Sequence, residues 1–275
     1  MQGIILSKKY RNVSHLNRKF NSCVISQENL TAYAFAFVCC ALTTGHAIAA
    51  PEEIEIYLDD FSEVGKYSLD LHTNYVTSGQ APTENQFRLT PELSYGVNSN
   101  WEVAGYWLTV TDSGEQPRTD GVKARARWRP SEPSPSSPFY WAVNFEVGQV
   151  AQEITPNEST GEIKLIGVWR SNPWLVGVNL NYDSSIVDHP KASATTEIDC
   201  KIAYEIKPGY QIAWENYSNL GATQPGPGQP QAYNANYLVT DMELGKWDLN
   251  FGIGHVTGQY TDNTVFKAII GVPLY

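Results

Sequence analysis

The regular alternation of charge between positions 122 and 129 constrains the fold more than any other feature of this chain. Every even position from Val122 to Trp128 is apolar, and every odd position from Lys123 to Arg129 is basic. Side chains of a strand point alternately to its two faces, so this segment predicts a strand with one apolar and one charged face. The same period recurs through the rest of the chain, with few helical stretches to form a second layer. The pattern predicts a barrel whose apolar face meets lipid and whose charged face lines a wet interior.

About twelve candidate strands follow one another between Lys66 and Tyr275, each near the nine to eleven residues of a tilted membrane strand. Some alternate strictly, such as Trp174–Asp183, whereas 101–111 alternates poorly and 233–244 has an ambiguous phase. Short turns and longer loops alternate between them, except for a Pro- and Ser-rich connection at 130–138. We therefore predict an all-β fold, a closed antiparallel up-and-down transmembrane β-barrel of about twelve strands. Its first and last strands must pair, because unpaired backbone groups are costly in hydrocarbon.

The tryptophans support this orientation of the strands. Six of the eight lie next to a predicted short turn, at positions 101, 128, 141, 169, 174 and 247. Indole rings favour the membrane interface, so this placement predicts a girdle at one rim of the barrel. The alternatives are a soluble β-sandwich with these tryptophans in its core, or a lipocalin-like carrier with its apolar faces turned inward.

Residues 1–49 resemble an export signal. A basic leader precedes an apolar stretch, Leu30–Leu42, and Ala47-Ile48-Ala49 follows as a cleavage site of the A-x-A kind. We predict a signal peptide over 1–49 and a location in the cell outer membrane. The alternative is an N-terminal membrane anchor, but thirteen apolar residues are short for a spanning helix.

The charge of the remaining chain excludes some functions. Five of the 19 Lys and Arg residues and one of the 29 Asp and Glu residues precede residue 50, which leaves a formal net charge of −14. So acidic a chain is a poor nucleic-acid binder. Cys200 is the one cysteine after residue 49, so an internal disulfide and Cys-based metal sites are excluded. We expect no cofactor and no metal.

Residues 50–65 form an acidic segment ahead of the first strand, and the barrel itself occupies 66–275. We expect the segment to be a solvated periplasmic tail. The alternative is that it folds into the barrel and neutralises the basic residues as a plug, because its charge is opposite to theirs.

Charged side chains on the inner face are the candidate functional residues. They are predicted to face the interior at Arg88, Glu92, Glu102, Lys123, Arg125, Arg127, Arg129, Glu146, Lys164 and Arg170. Such residues can form a constriction that selects solutes by charge. The alternative is a lattice of salt bridges that fills the interior, because twelve strands lie between closed eight-stranded barrels and wide sixteen-stranded ones.

Three segments carry a resemblance to known proteins: Leu69–Tyr75, Leu89–Gly96 and Gly121–Trp128. Together they resemble small bacterial outer-membrane β-barrel proteins, similar to the transporter family associated with the meta-pathway of phenol degradation. The resemblance covers about residues 52–275. It implies an outer-membrane barrel that carries small solutes or apolar compounds.

The leading functional interpretation is a passive outer-membrane channel for small solutes or apolar compounds. Two alternatives are a structural or surface-interaction barrel with a closed lumen, and an outer-membrane enzyme that modifies lipids. The enzyme is disfavoured, because His72, His189 and His255 lack the spacing of metal ligands and no nucleophile elbow accompanies them. We therefore predict no catalytic residue. The expected partners are membrane lipid, lipopolysaccharide, the barrel-assembly machinery and an unidentified small solute, and we expect a monomer.

Overall fold

The protein is described by a computed structural model over residues 53–78, 84–134, 136–151, 157–187, 192–227, 229–258 and 263–274. These residues form twelve strands that close into one barrel, in an all-β fold. The strands are β1 (Tyr67–Ser78), β2 (Phe87–Asn98), β3 (Trp101–Thr111), β4 (Arg118–Trp128), β5 (Phe139–Val150), β6 (Ser159–Ser171), β7 (Trp174–Ser185), β8 (Thr195–Lys207), β9 (Tyr210–Ala222), β10 (Tyr233–Leu244), β11 (Trp247–Thr257) and β12 (Asn263–Leu274).

Each strand pairs antiparallel with its neighbours in sequence, and the barrel closes where β1 pairs with β12. The closing register extends from Tyr67 opposite Leu274 to Ser78 opposite Thr264. The predicted up-and-down topology and the predicted pairing of the first and last strands are therefore confirmed. In the part of the chain that the structure describes, no helix is long and apolar enough to cross a membrane.

Several strands extend beyond their predicted ends into the longer loops. β9 continues to Ala222 where the apolar alternation predicted an end at Tyr217, and β6 begins at Ser159 instead of Glu162. Backbone pairing needs no apolar side chain, so the ladder continues past the alternating stretch. The two ends of the barrel are here called the short-turn rim and the long-loop rim.

Most of the outer wall is apolar. Large side chains at its middle, such as Phe145, Leu165 and Leu180, are between 42 and 50% exposed. At the short-turn rim the indole of Trp128 contacts those of Trp101 and Trp141, with ring centroids 6.4 and 5.5 Å apart. This row is part of the predicted girdle, and the soluble alternatives do not account for it.

Two irregularities in the ladder have local causes. Pro91 lacks an N–H, and pairing between β2 and β3 is interrupted at Thr90 and Pro91. In β4 an extra residue, Asp120, sits in a bulge opposite β3, next to Gly121, which has a φ of 152°. The bulge turns the Asp120 carboxylate into the barrel, where its side chain is fully buried.

Candidate functional site

Residues 53–66 are here called the N-terminal segment, and its residues 53–62 lie inside the barrel. Ile54, Ile56 and Tyr57 are between 2 and 4% exposed and belong to one apolar cluster with inward side chains of the wall. The structure therefore places these residues within the barrel and not in solvent, where a solvated tail was expected. The expectation of a solvated tail considered only the charges of the segment. The apolar residues of the segment stabilise its buried position. The predicted signal peptide lies outside the described residues.

Two strands hold the deep end of the segment through its backbone. The Asn179 side chain on β7 accepts a hydrogen bond from Tyr57 N at 2.7 Å and donates one to Tyr57 O at 2.9 Å. On β12, Lys267 Nζ donates to Ile54 O at 3.0 Å. Gly177 leaves room for the segment, because a Cβ there would lie 2.5 Å from Leu58 Cδ2. The Asn179 amide thus forms the hydrogen bonds to the Tyr57 backbone that a neighbouring strand would otherwise form.

Tyr57 links the segment to the charged wall. Its hydroxyl lies 2.6 Å from the Tyr106 hydroxyl and donates to Glu53 Oε1 at 3.0 Å. The Lys164 ammonium lies 4.1 Å from the centre of its ring, and the Arg125 guanidinium lies 5.4 Å from it. Burial raises the pKa of the Tyr57 phenol well above its usual value, so the hydroxyl remains a donor at neutral pH.

The basic residues of β4 face inward and are paired with carboxylates. Arg125 donates to Glu92 and, at 2.6 Å, to Glu102. Arg127 also donates to Glu102, at 3.0 Å, and to the backbone oxygen of Asp60 on the N-terminal segment. Glu102 therefore lies between two guanidinium groups.

The shallow end of the segment packs against the same basic row. The guanidinium carbons of Arg127 and Arg129 lie 4.3 and 4.2 Å from the centre of the Phe61 ring. The Ser62 backbone N–H donates to Glu102 Oε2 at 2.5 Å. Aromatic and polar groups of the segment thus cover the row from the lumen side.

The segment leaves the lumen at the short-turn rim. Val64 forms a parallel bridge with Gly96, and Gly65 N donates to Gly96 O at 2.7 Å. A Cβ at Gly96 would overlap the backbone oxygens of Ser62 and Glu63. Glycine at this position therefore permits the close approach of the segment to β2.

The remaining predicted residues also lie on the lumen side. Arg88 meets Asp120 at 3.4 Å, and Lys123 meets Glu146 at 2.9 Å. Lys164 lies 3.4 Å from Glu162, and at the short-turn rim Arg170 lies 2.6 Å from Asp59 of the segment. All ten residues form ion pairs on the lumen side, and Arg170 at the rim is half-exposed.

A second charged cluster was not singled out by the sequence. Glu215 lies 3.0 Å from Lys201 and 2.5 Å from Lys267, and Lys201 also meets Asp241 at 2.9 Å. The alternation of β8 places Lys201 on the inner face, but pairing across β8, β9, β10 and β12 cannot be deduced from separate strands. The cluster also binds the deep end of the segment through Lys267.

Space remains in the lumen near the short-turn rim. A cavity of about 270 Å³ lies beside the segment and is lined by charged residues of the segment and of the wall, including Glu55, Asp70, Arg125 and Lys246. The N-terminal segment lines one side of this cavity and is not one of the strands of the wall.

One part of the outer wall is polar, near the long-loop rim. Asn216 and Ser218 on β9 hydrogen-bond to Asn236 and Asn234 on β10 at 3.1 and 2.8 Å. On β11, His255 lies opposite Asn236 of β10. The nearby Thr257 hydroxyl donates to a backbone oxygen, that of Asn234, and not to the imidazole. This geometry gives no support to the lipid-modifying alternative at His255, and His189 lies outside the described residues.

Comparison with known proteins supports the fold. No family model matches the chain, and no curated protein matches it. Among solved structures it is similar to the KdgM porin in complex with disordered oligogalacturonate, with a TM-score of 0.52, 11% identity, and coverage of 76% of this chain and 99% of the porin. A second KdgM porin structure gives a TM-score of 0.50 at 12% identity, and the match covers 76% of this chain and 99% of the porin. The NanC porin gives 0.51 at 13% identity, with coverage of 74 and 97%. The phenol-degradation family of the sequence resemblance is not among these findings.

Proposed function

We propose that this protein is an outer-membrane channel for small solutes, closed in the described state by its own N-terminal segment. The observation that carries the proposal is a non-strand segment held inside a closed barrel by side-chain contacts. We expect that departure of the segment opens a route between the two rims. The structural likeness to porins supports the fold on which such a route depends.

The chemistry of the wall indicates which solutes the open channel would favour. Arg127 and Arg129 are covered by Phe61 in the closed state, and Arg170 is paired with Asp59. Withdrawal of the segment would expose Arg127 and Arg129, and it would leave Arg170, already half-exposed at the short-turn rim, without its carboxylate partner. We expect small anions to enter this rim more readily than cations of the same size.

Ion selectivity tests the proposal. Arg129 is suited to the test, because its carboxylate partner is the surface residue Glu132 at 3.6 Å, and its loss leaves no buried carboxylate without a partner. In planar bilayers under a salt gradient, Arg129→Gln should shift the reversal potential toward cation preference. Lys207→Gln removes the same charge from a short turn and should shift it much less.

The outcomes separate the interpretations. A larger shift for Arg129→Gln than for Lys207→Gln supports a conducting lumen. Equal shifts, or no current above that of a protein-free bilayer for any variant, would contradict the channel and favour the closed structural barrel.

A further inference from the structure

Four potential metal ligands meet where the N-terminal segment touches β1 and β2. They are Glu53 and Glu55 of the segment, His72 of β1 and Glu92 of β2, and one ligand atom from each lies within 4.8 Å of the others. His72 and Glu92 are each 2% exposed. Two ligands thus come from the segment and two from the wall.

His72 carries an unsatisfied nitrogen that points into this group. Its Nε2 lies 3.3 Å from Glu92 Oε2. Its Nδ1 is buried and has no hydrogen-bond partner among the described residues, and Glu55 Oε2 lies 3.9 Å away. A buried imidazole nitrogen without a partner is costly, and a metal ion between Nδ1 and the Glu55 carboxylate would satisfy it.

The charge of the group also favours a cation. Three carboxylates lie around one histidine, and the nearest guanidinium, that of Arg125, is shared between Glu92 and Glu102. Two carboxylates are already oriented by neighbours, since Glu92 Oε1 accepts from Arg125 Nε at 2.9 Å and Glu53 Oε1 accepts from the Tyr57 hydroxyl at 3.0 Å. Such outer contacts are typical of carboxylates that bind metals.

We propose that Glu53, Glu55, His72 and Glu92 form a binding site for a divalent metal ion of the zinc class, which fastens the N-terminal segment to the barrel wall. An imidazole among carboxylates favours such an ion over Ca²⁺ and Mg²⁺, which take oxygen ligands. Metal–ligand distances of about 2.0–2.2 Å would bring the four atoms to about 3.4 Å from one another. The segment is not part of a strand, so Glu53 and Glu55 can move the roughly 1 Å that this requires. Glu92 Oε2 would have to leave Nε2 of His72, 3.3 Å away, to reach an ion bound at Nδ1.

Metal binding is tested on the complete chain, purified in detergent and stripped with a chelator. Isothermal titration with Zn²⁺ should give one site per chain, and Ca²⁺ and Mg²⁺ should bind far more weakly. Glu55→Gln and His72→Ala should each lower the Zn²⁺ affinity by at least about 10- to 100-fold, the loss typical of changes to an outer contact of a metal. Heat-modifiable gel migration verifies that each variant is folded.

Matched controls separate this site from adventitious binding. Glu63→Gln removes a carboxylate from the same segment outside the cluster, and His255→Ala removes a histidine from the outer wall; both should bind Zn²⁺ like the unaltered chain. Binding that survives Glu55→Gln in a folded protein, or that is lost equally in His255→Ala, would overturn the site.

The effect of the metal on closure rests on the proposed function and has its own readout. Zn²⁺ should lower the open probability in bilayers, chelator should restore it, and Glu55→Gln should remove the response. If Zn²⁺ binds but no variant conducts, the channel is wrong and the site stands. If the protein conducts but Zn²⁺ does not bind, the site is wrong and the channel stands.

Discussion

Glu102 shows how single residues hold the closed state. Its carboxylate accepts from Arg125, from Arg127 and from the Ser62 backbone, and it is 1% exposed. A buried carboxylate between two guanidinium groups is stabilised only while all partners remain. Glu102 therefore contributes both to the wall and to the position of the segment.

Replacing this residue tests that dual role. Glu102→Gln should destabilise the folded barrel by about 3–5 kcal/mol, because it leaves two buried guanidinium groups undercompensated. Glu132→Gln changes the same chemical group at an exposed position beside Arg129 and should have little effect. Denaturant unfolding in detergent micelles measures both. Equal stability of the two variants would mean that the buried ion pairs are solvated.

At the scale of elements, strands with opposite chemistry on their two faces were predictable and mixed strands were not. The orientation of β4 follows from its sequence, because Lys123, Arg125 and Arg127 alternate with apolar residues and therefore share one face, which is the lumen face. In β3 the inward residues include Tyr106, Leu108 and Val110, so both faces are largely apolar and alternation is weak. In the first half of β10 the inward side chains include the apolar Tyr237, whereas Asn234 and Asn236 on the outer face are polar.

The candidate site was predictable only in part, because the sequence of one strand shows which face a side chain is on but not which residues it meets. The phase of each strand places charged side chains on the lumen face, but partners depend on register between strands. The position of the N-terminal segment depends on tertiary contacts, such as those of Asn179 with Tyr57, that no local pattern records. Its apolar residues, Ile54, Ile56 and Tyr57, were the available signal.

The packing of the N-terminal segment against β2 can be tested without altering a charge. Gly96→Ala should force the segment away from β2, because the new Cβ would overlap backbone oxygens of Ser62 and Glu63. Limited proteolysis with chymotrypsin should then cleave after Tyr57 or Phe61 faster than in the unaltered protein. Gly105→Ala is the control, since its nearest neighbour would be 3.8 Å away. Similar cleavage rates for both variants would contradict the observed packing of the segment.

For the whole molecule, the apolar outer wall requires lipid. Leu165 lies at the centre of β6 and is 50% exposed, whereas Leu244 ends β10 at the short-turn rim and is 60% exposed. In a water-soluble barrel, arginine at either position would be tolerated. In a membrane, arginine at the midplane of a barrel costs about 2–4 kcal/mol and close to 0–1 near the interface.

The two positions therefore give a paired prediction. Leu165→Arg should lower the stability of the barrel in lipid vesicles by about 2–4 kcal/mol, and Leu244→Arg should change it far less. Reversible unfolding in the presence of vesicles measures the difference. An unchanged stability for Leu165→Arg would place that residue in water.

Single-channel conductance in planar bilayers shows whether the N-terminal segment closes the channel. The complete chain is compared with a variant that lacks residues 53–63, after heat-modifiable migration has verified that both are folded. The shortened protein should conduct in a larger and more persistent open state. Identical conductance and open probability in the two proteins would contradict closure by the segment.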